Sequence, residues 1–267
     1  MSEQSLRAHA QRKKTKESLK AAYVFFFFVG GLILLSLFFK VVLLLKETKF
    51  DGSSHFSLEI QNKKTENIQI ISFSPQNSSI GILDVQGLNP RSLEIPVDAK
   101  IDSDKTIESG NIKTSLLTLL LNSDEKEINF VDVLKLFLFS QTVKDNSISE
   151  KNINDRISEV NVDSLVSQFF VDPKISNEKL TIEIVNSTNV SGLGNRLANY
   201  VSNMGGNVIL VSNGDEQKES EIDYSNDSYT VDKLSSMLNL NKVKIPKKSL
   251  SDVIIIIGDN SLKKLNF

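Results

Sequence analysis

Apolar and polar positions along the chain fall into three successive regimes. Residues 21–39, AAYVFFFFVGGLILLSLFF, carry no charge, and Val41–Leu45 adds a second apolar run between Lys40 and Lys46. A bilayer core about 30 Å thick needs about 20 apolar residues at about 1.5 Å rise each, so 21–45 predicts a transmembrane helix. Lys40 lies near one end, where its aliphatic stem can carry the ammonium to the headgroups. A cleaved signal peptide would have an apolar region of about 7–15 residues ending in a small-x-small site. This run is longer and leaves into Lys46-Glu47-Thr48-Lys49, which predicts a retained anchor. Residues 46–55, KETKFDGSSH, read as a short tether.

From Phe56 the period becomes two: Phe56, Leu58 and Ile60 alternate with Ser57, Glu59 and Gln61. Ile68–Phe73, Ser79–Val85 and Leu93–Pro96 follow as further strands, predicting an antiparallel meander. The pattern then turns helical, first around Ile112–Leu121 and again after Asn129, where Phe130, Val133, Leu134, Leu136, Phe137 and Phe139 form a wide apolar face. Gln141–Asn161 is polar and weakly patterned, and Val162–Phe170 predicts a short helix.

The third regime starts at Leu180. A strand (180–186) leads through Ser187–Ser191, residues that cap helices. Leu193, Leu197, Val201 and Met204 then make one stripe of a helix, stopped by Gly205-Gly206. Val208–Val211 and Glu221–Tyr224 read as strands, Ser228 caps a helix carrying Val231, Leu234 and Leu238, Val243 lies in a short strand, and Val253–Ile257 closes as a strand buried on both faces. The expected fold class is α/β (α+β). It comprises a basic tail (1–20), a transmembrane helix (21–45), a mixed sheet-plus-helices middle domain (56–140), a linker with a short helix (141–177) and a small βαββαβ two-layer domain (178–260).

Charge sets the expected orientation. Residues 1–20 carry six basic residues against two acidic, +4, while the whole chain of 267 is −2. Short basic flanks stay cytoplasmic, which puts the N-terminus inside and the C-terminus outside the cell membrane. A tail of 20 residues is too short for a DNA-binding domain, so no nucleic-acid partner is expected. There is no Cys, so disulfides and thiolate chemistry are excluded, and no metal site is expected. The only histidines are His9 and His55, so any Ser-His-Asp arrangement outside would have to use His55.

Gly192-Leu193-Gly194-Asn195-Arg196-Leu197 is a G-x-G turn with Leu197 where a dinucleotide fingerprint wants its third glycine, and Asp215 lies about 20 residues on. The competing reading gives both glycines a tight turn and close helix packing. Candidate binding residues here are Asn186, Ser191, Gly192 and Gly194, beside backbone amides that open a helix.

The run IEIVNSTNVSGLGNRLANYVSNMGGNVILV, with EIDYSNDSYTVDKLSSML and DVIIIIGDN, resembles the C-terminal domain of LytR-CpsA-Psr proteins over about residues 178–260. That resemblance implies a strand ending in Asn, a small-residue loop, Gly-Leu, an amphipathic helix, and a last strand followed by Gly258-Asp259. Family members with the full catalytic domain are similar to transferases that move a pyrophosphate-linked glycan onto peptidoglycan, usually with Mg²⁺. Their strand ending Ile-Pro-Arg-Asp has the counterpart Ile95-Pro96-Val97-Asp98, with Val97 where the arginine would be. The middle region is shorter than the catalytic domain it resembles, so it is at most a reduced, degenerate relative.

Two functions are therefore carried. The first is a non-catalytic, membrane-anchored extracytoplasmic envelope protein, in contact with the bilayer, that binds peptidoglycan, a wall glycopolymer or an envelope protein and needs no cofactor. The second is a divergent glycopolymer transferase using Asp98 and Arg91, with Mg²⁺. On the first, Asp98→Ala removes only a local hydrogen bond, about 0.5–1.5 kcal/mol.

Overall fold

The computed structural model describes residues 3–62, 64–65, 67–87, 93–104, 107, 109–122, 127–153, 159–246 and 250–261, with side chains from residue 23 onward save 109, 119–122 and 159–163. The chain divides into two units, Met1–Thr48 and Lys49–Phe267. The first is one helix, α1 (Glu3–Lys46). Its stretch Tyr23–Lys46, 24 residues of mean hydropathy 2.6, is long and apolar enough to cross a membrane. Its Phe, Leu and Val side chains stand exposed all round, where lipid is the matching solvent.

The second unit begins with a mixed sheet. Strands β1 (Phe56–Asn62), β2 (Ile68–Ser74), β3 (Ser79–Val85), β4 (Ala99–Ser103) and β5 (Ile148–Ile153) take the order β4-β1-β2-β3-β5. The three central strands form antiparallel hairpins, while β4 and β5 join the edges parallel to β1 and β3. Helices α2 (Ile112–Asn122) and α3 (Phe130–Thr142) cover one face, setting Ile112, Leu116, Val133 and Leu136 against Leu58, Ile60, Ile71 and Phe73. Helix α4 (Glu159–Phe170) covers the other, with Val166, Phe169 and Phe170 on Ile70, Leu83 and Val85. Sealed on both faces, β2 is buried without a break from Gln69 to Ser74 instead of alternating. Two of its buried polar side chains are matched, Gln69 Nε2 donating to Asp84 and to the Ile107 carbonyl and Ser72 Oγ to the Phe169 carbonyl, while the buried Ser74 Oγ has no partner. A Cβ on Gly81 would lie 2.0 Å from Phe169 Cδ1, so only glycine lets that ring lie on β3.

After α5 (Pro173–Glu178) come β6 (Thr181–Asn186), α6 (Leu193–Asn203), β7 (Asn207–Asn213), β8 (Glu221–Tyr224), α7 (Tyr229–Leu238), β9 (Asn241–Lys244) and β10 (Val253–Ile257). The second sheet runs β7-β6-β10-β8-β9, with β10 parallel to β6 and antiparallel to β8. Ile175 of α5, Leu197 and Val201 of α6, and Val231 and Leu234 of α7 pack on Ile182, Ile184, Ile222, Val253, Ile255 and Ile257. The opposite face carries half-buried Val185, Ile254 and Ile256 in rows with Glu183, Glu221 and Asp223.

Four expectations are corrected. Residues 49–55 are no tether: Phe50 lies in the first core, and its amide donates to Asp132 Oδ1 at 2.8 Å. No strand forms at 93–96, where Glu94 has φ 47° and Pro96 lacks an N–H; pairing resumes at Ala99. The polar stretch expected as a linker supplies edge strand β5 and helix α4, so the sheet is mixed and not a plain meander. Finally, β10 is buried on one face only, alternating with Ile254 and Ile256.

Candidate functional site

Asp98 is placed by the turn that brings Ile95 into the core and starts β4. Its Oδ2 accepts from the Ser57 amide (2.8 Å) and hydroxyl (3.2 Å), and its Oδ1 from Lys233 Nζ of α7 at 2.5 Å. Both side chains are largely shielded, 8% and 12% exposed, and Lys233 Nζ also donates to the His55 carbonyl. This junction joins the two sheets. Tyr229 OH donates to Asp172 Oδ2 (2.6 Å), Lys174 Nζ donates to Ser53 and Ser54, and Arg196 pairs with Glu94. Burial, reinforced by the Asp172 hydrogen bond, pushes the Tyr229 phenol up; burial and the Asp98 charge do the same to Tyr200.

His55 does meet a serine, but not as a catalytic pair. Its Nε2 lies 2.8 Å from Ser72 Oγ and 3.2 Å from the Phe169 carbonyl, and Ser72 donates its proton to that same carbonyl. Both side chains are sealed in the core. Burial holds the imidazole below its ordinary pKa, the Asp98 charge pulling the other way and Lys233 adding to the depression. Asp98 Oδ1 holds the Lys233 ammonium, and among the described residues no three His, Asp or Glu groups come together to hold a metal. Arg91 lies outside the described residues. The expectation that Asp98 makes only a local hydrogen bond is also corrected, since it carries a buried ion pair to a residue 135 positions away. Of this cluster, Lys233, Asp172 and Tyr229 gave no signal in the sequence.

Asn186, Ser191, Gly192 and Gly194 are brought together at the other candidate site, where β6 ends and α6 begins. Asn186 shapes the loop: its Nδ2 donates to the Val190 carbonyl (2.9 Å), and its Oδ1 accepts from the Thr188 amide and hydroxyl. Gly192 takes φ 80° at the N-cap, and no side chain caps α6. At Gly194 a Cβ would come within 3.0 Å of Val211 Cγ1, so the glycine permits close packing of α6 on β7. Leu197, where the dinucleotide fingerprint wants glycine, is a core residue.

Between the loop, α6 and the end of β7 opens a cleft of about 480 Å³. Asn189, Ser191, Asn195, Ser212 and Asn213 line it, and Val190 and Val211 add exposed apolar surface. Among the described residues no charged one lines it. Amides and hydroxyls both donate and accept, so the lining is matched to a neutral polar ligand.

A small two-layer α/β domain with an uncharged polar cleft at the carboxyl end of a parallel strand is the class that these features define. Residues 179–260 match the family described as LytR cell envelope-related transcriptional attenuator. The match runs from the residue after α5 to just beyond β10, so this part of the chain is a LytR-type C-terminal domain. Together with α1 it fits a membrane-anchored cell-envelope protein. No curated protein and no solved structure matches the chain.

Proposed function

We propose that the protein is a non-catalytic envelope component, held by α1 with residues 46–267 outside the cell, that binds a wall polymer or an envelope protein through the cleft of its LytR-type domain. The observation that carries this reading is the cleft: a concave site without charge, built on the loop that Asn186 folds. The basic tail supports the orientation through the preference of such flanks for the cytoplasm. The non-catalytic reading is supported by Asp98, whose oxygens are committed to Ser57 and Lys233. A pyrophosphate-transfer site needs cations aimed at its leaving group, and the lysine nearest Asp98 is neutralised by it.

Full-length protein in detergent should sediment with purified peptidoglycan sacculi, and Ser191→Trp, which fills the cleft, should stay in the supernatant. Wild-type protein left in the supernatant would remove the wall polymer as ligand. Co-sedimentation unchanged by Ser191→Trp would move the site elsewhere. External protease on wall-stripped cells should digest the outer unit; complete protection would reverse the orientation. The transferase alternative would be restored if Asp98→Asn kept the fold but abolished transfer of a labelled lipid-linked glycan.

A further inference from the structure

Helix α3 buries Val133, Leu136 and Ser140 against the first sheet. On the opposite side of the same helix, Phe130, Leu134 and Leu138 are 60%, 41% and 54% exposed. Their spacing of four residues aligns them in one stripe. A helix on a solvated surface carries polar groups there; this one is apolar on both faces.

The beginning of the outer unit says what the stripe meets. Phe50 donates its amide to Asp132 of α3 and accepts from Lys135 Nζ of α3 at 2.9 Å, while Lys49 pairs with Glu127 just before α3. Lys46 ends the membrane-length stretch four residues before Phe50. Four residues of fully extended chain reach at most about 14 Å. The headgroup layer on each side of a bilayer is itself about 5–8 Å deep. A helix fastened to Phe50 therefore cannot move far from the lipid surface, whatever the outer unit's tilt. Phe and Leu favour the boundary between headgroups and acyl chains, and the Glu127 charge at the stripe's end is compensated by Lys49.

We propose that Phe130, Leu134 and Leu138 form a lipid-docking face, lying on the bilayer that holds α1, on the side where Lys49 emerges. The inference rests on the anchor reading of Tyr23–Lys46. It gives the protein a second, interfacial attachment.

The chain contains no Trp, so a single Phe130→Trp substitution in the full-length protein is a clean reporter. The protein is reconstituted into phosphatidylcholine vesicles in which a fraction of the lipids carry bromine on the acyl chain. The expected result is blue-shifted emission, quenched by the brominated lipid and shielded from aqueous iodide. Leu250→Trp, at a residue 96% exposed in the other half of the unit, should show the reverse. Adding Leu134→Glu and Leu138→Glu to Phe130→Trp should abolish lipid quenching. If Phe130→Trp does not fold by circular dichroism, Leu138→Trp takes its place. Emission quenched by iodide and not by lipid overturns the inference. Blue-shifted emission that neither agent quenches also overturns it, because a protein or a second copy then covers the stripe. Vesicle flotation in alkaline carbonate separates the two readings: failure to float sinks the anchor and this inference together, whereas floating protein without lipid quenching sinks the inference alone.

Discussion

Replacing Asp98 by alanine tests whether the junction between the sheets is as dry as it looks. The change removes the acceptor of Lys233 Nζ, leaving the ammonium only the His55 carbonyl, and strips the Ser57 amide of its partner. With Lys233 only 12% exposed, water cannot readily take over. Breaking a buried pair from one side costs about 3–5 kcal/mol, several times a local hydrogen bond. Replacing both members by apolar residues, Asp98→Leu with Lys233→Met, should recover most of that loss, because no unpaired charge remains. The assay is urea unfolding of the full chain in detergent, followed by circular dichroism, over wild type, both single variants and the double variant. The cycle should show strong coupling between residues 98 and 233. A loss under about 1 kcal/mol for Asp98→Ala, the range of an exposed pair, would mean that Lys233 reaches solvent and that the sealed junction is wrong.

His55 makes stability depend on pH. Its folded pKa is below the ordinary 6.5, so the unfolded chain binds the proton first. Stability is complete above about pH 6.5 and falls as pH drops through the folded value; a melting series should show this, and His55→Gln should flatten the curve. Gly81→Ala drives a methyl into Phe169 and should cost about 1–3 kcal/mol, with Gly81→Ala plus Phe169→Leu recovering part of it in the same urea assay. Asp132→Ala unpins the amides of Phe50 and Asn129 and should cost about 1.5–3 kcal/mol, whereas Asp145→Ala, at an exposed ion pair, should be nearly silent.

What periodicity encodes, the sequence made legible. The α6 stripe, the β1 alternation and the uncharged run of α1 each stand out against a single repeat length, and Asn186 and the two glycines sit at an abrupt change from period two to period 3.6. What joins distant segments was hidden. Asp98 and Lys233 are 135 positions apart, and neither breaks a local pattern. Strand β5, Ile-Ser-Glu-Lys-Asn-Ile, exposes its middle at a sheet edge, so its composition reads as a loop. Phe50 was a lone aromatic in a polar run; only the Asp132 partner shows that it enters a core. The parallel pairing of β4 and β5 depends on which edges stay free, which no local signal records.

The strap from Phe50 to His55 constrains the order in which the protein can be made. These are among the first residues of the second unit to be synthesised, yet Ser54 waits for Lys174, the His55 ring for the Phe169 carbonyl and the His55 backbone for Lys233. A nascent chain that has emerged only as far as β5 has its first sheet without α4 on one face, and its His55 ring has Ser72 but not yet the Phe169 carbonyl. Contacts spanning 114 to 178 residues close late, and the second unit is expected to fold slowly for its size. A chain truncated before α7 should be digested more readily by added protease than the whole chain.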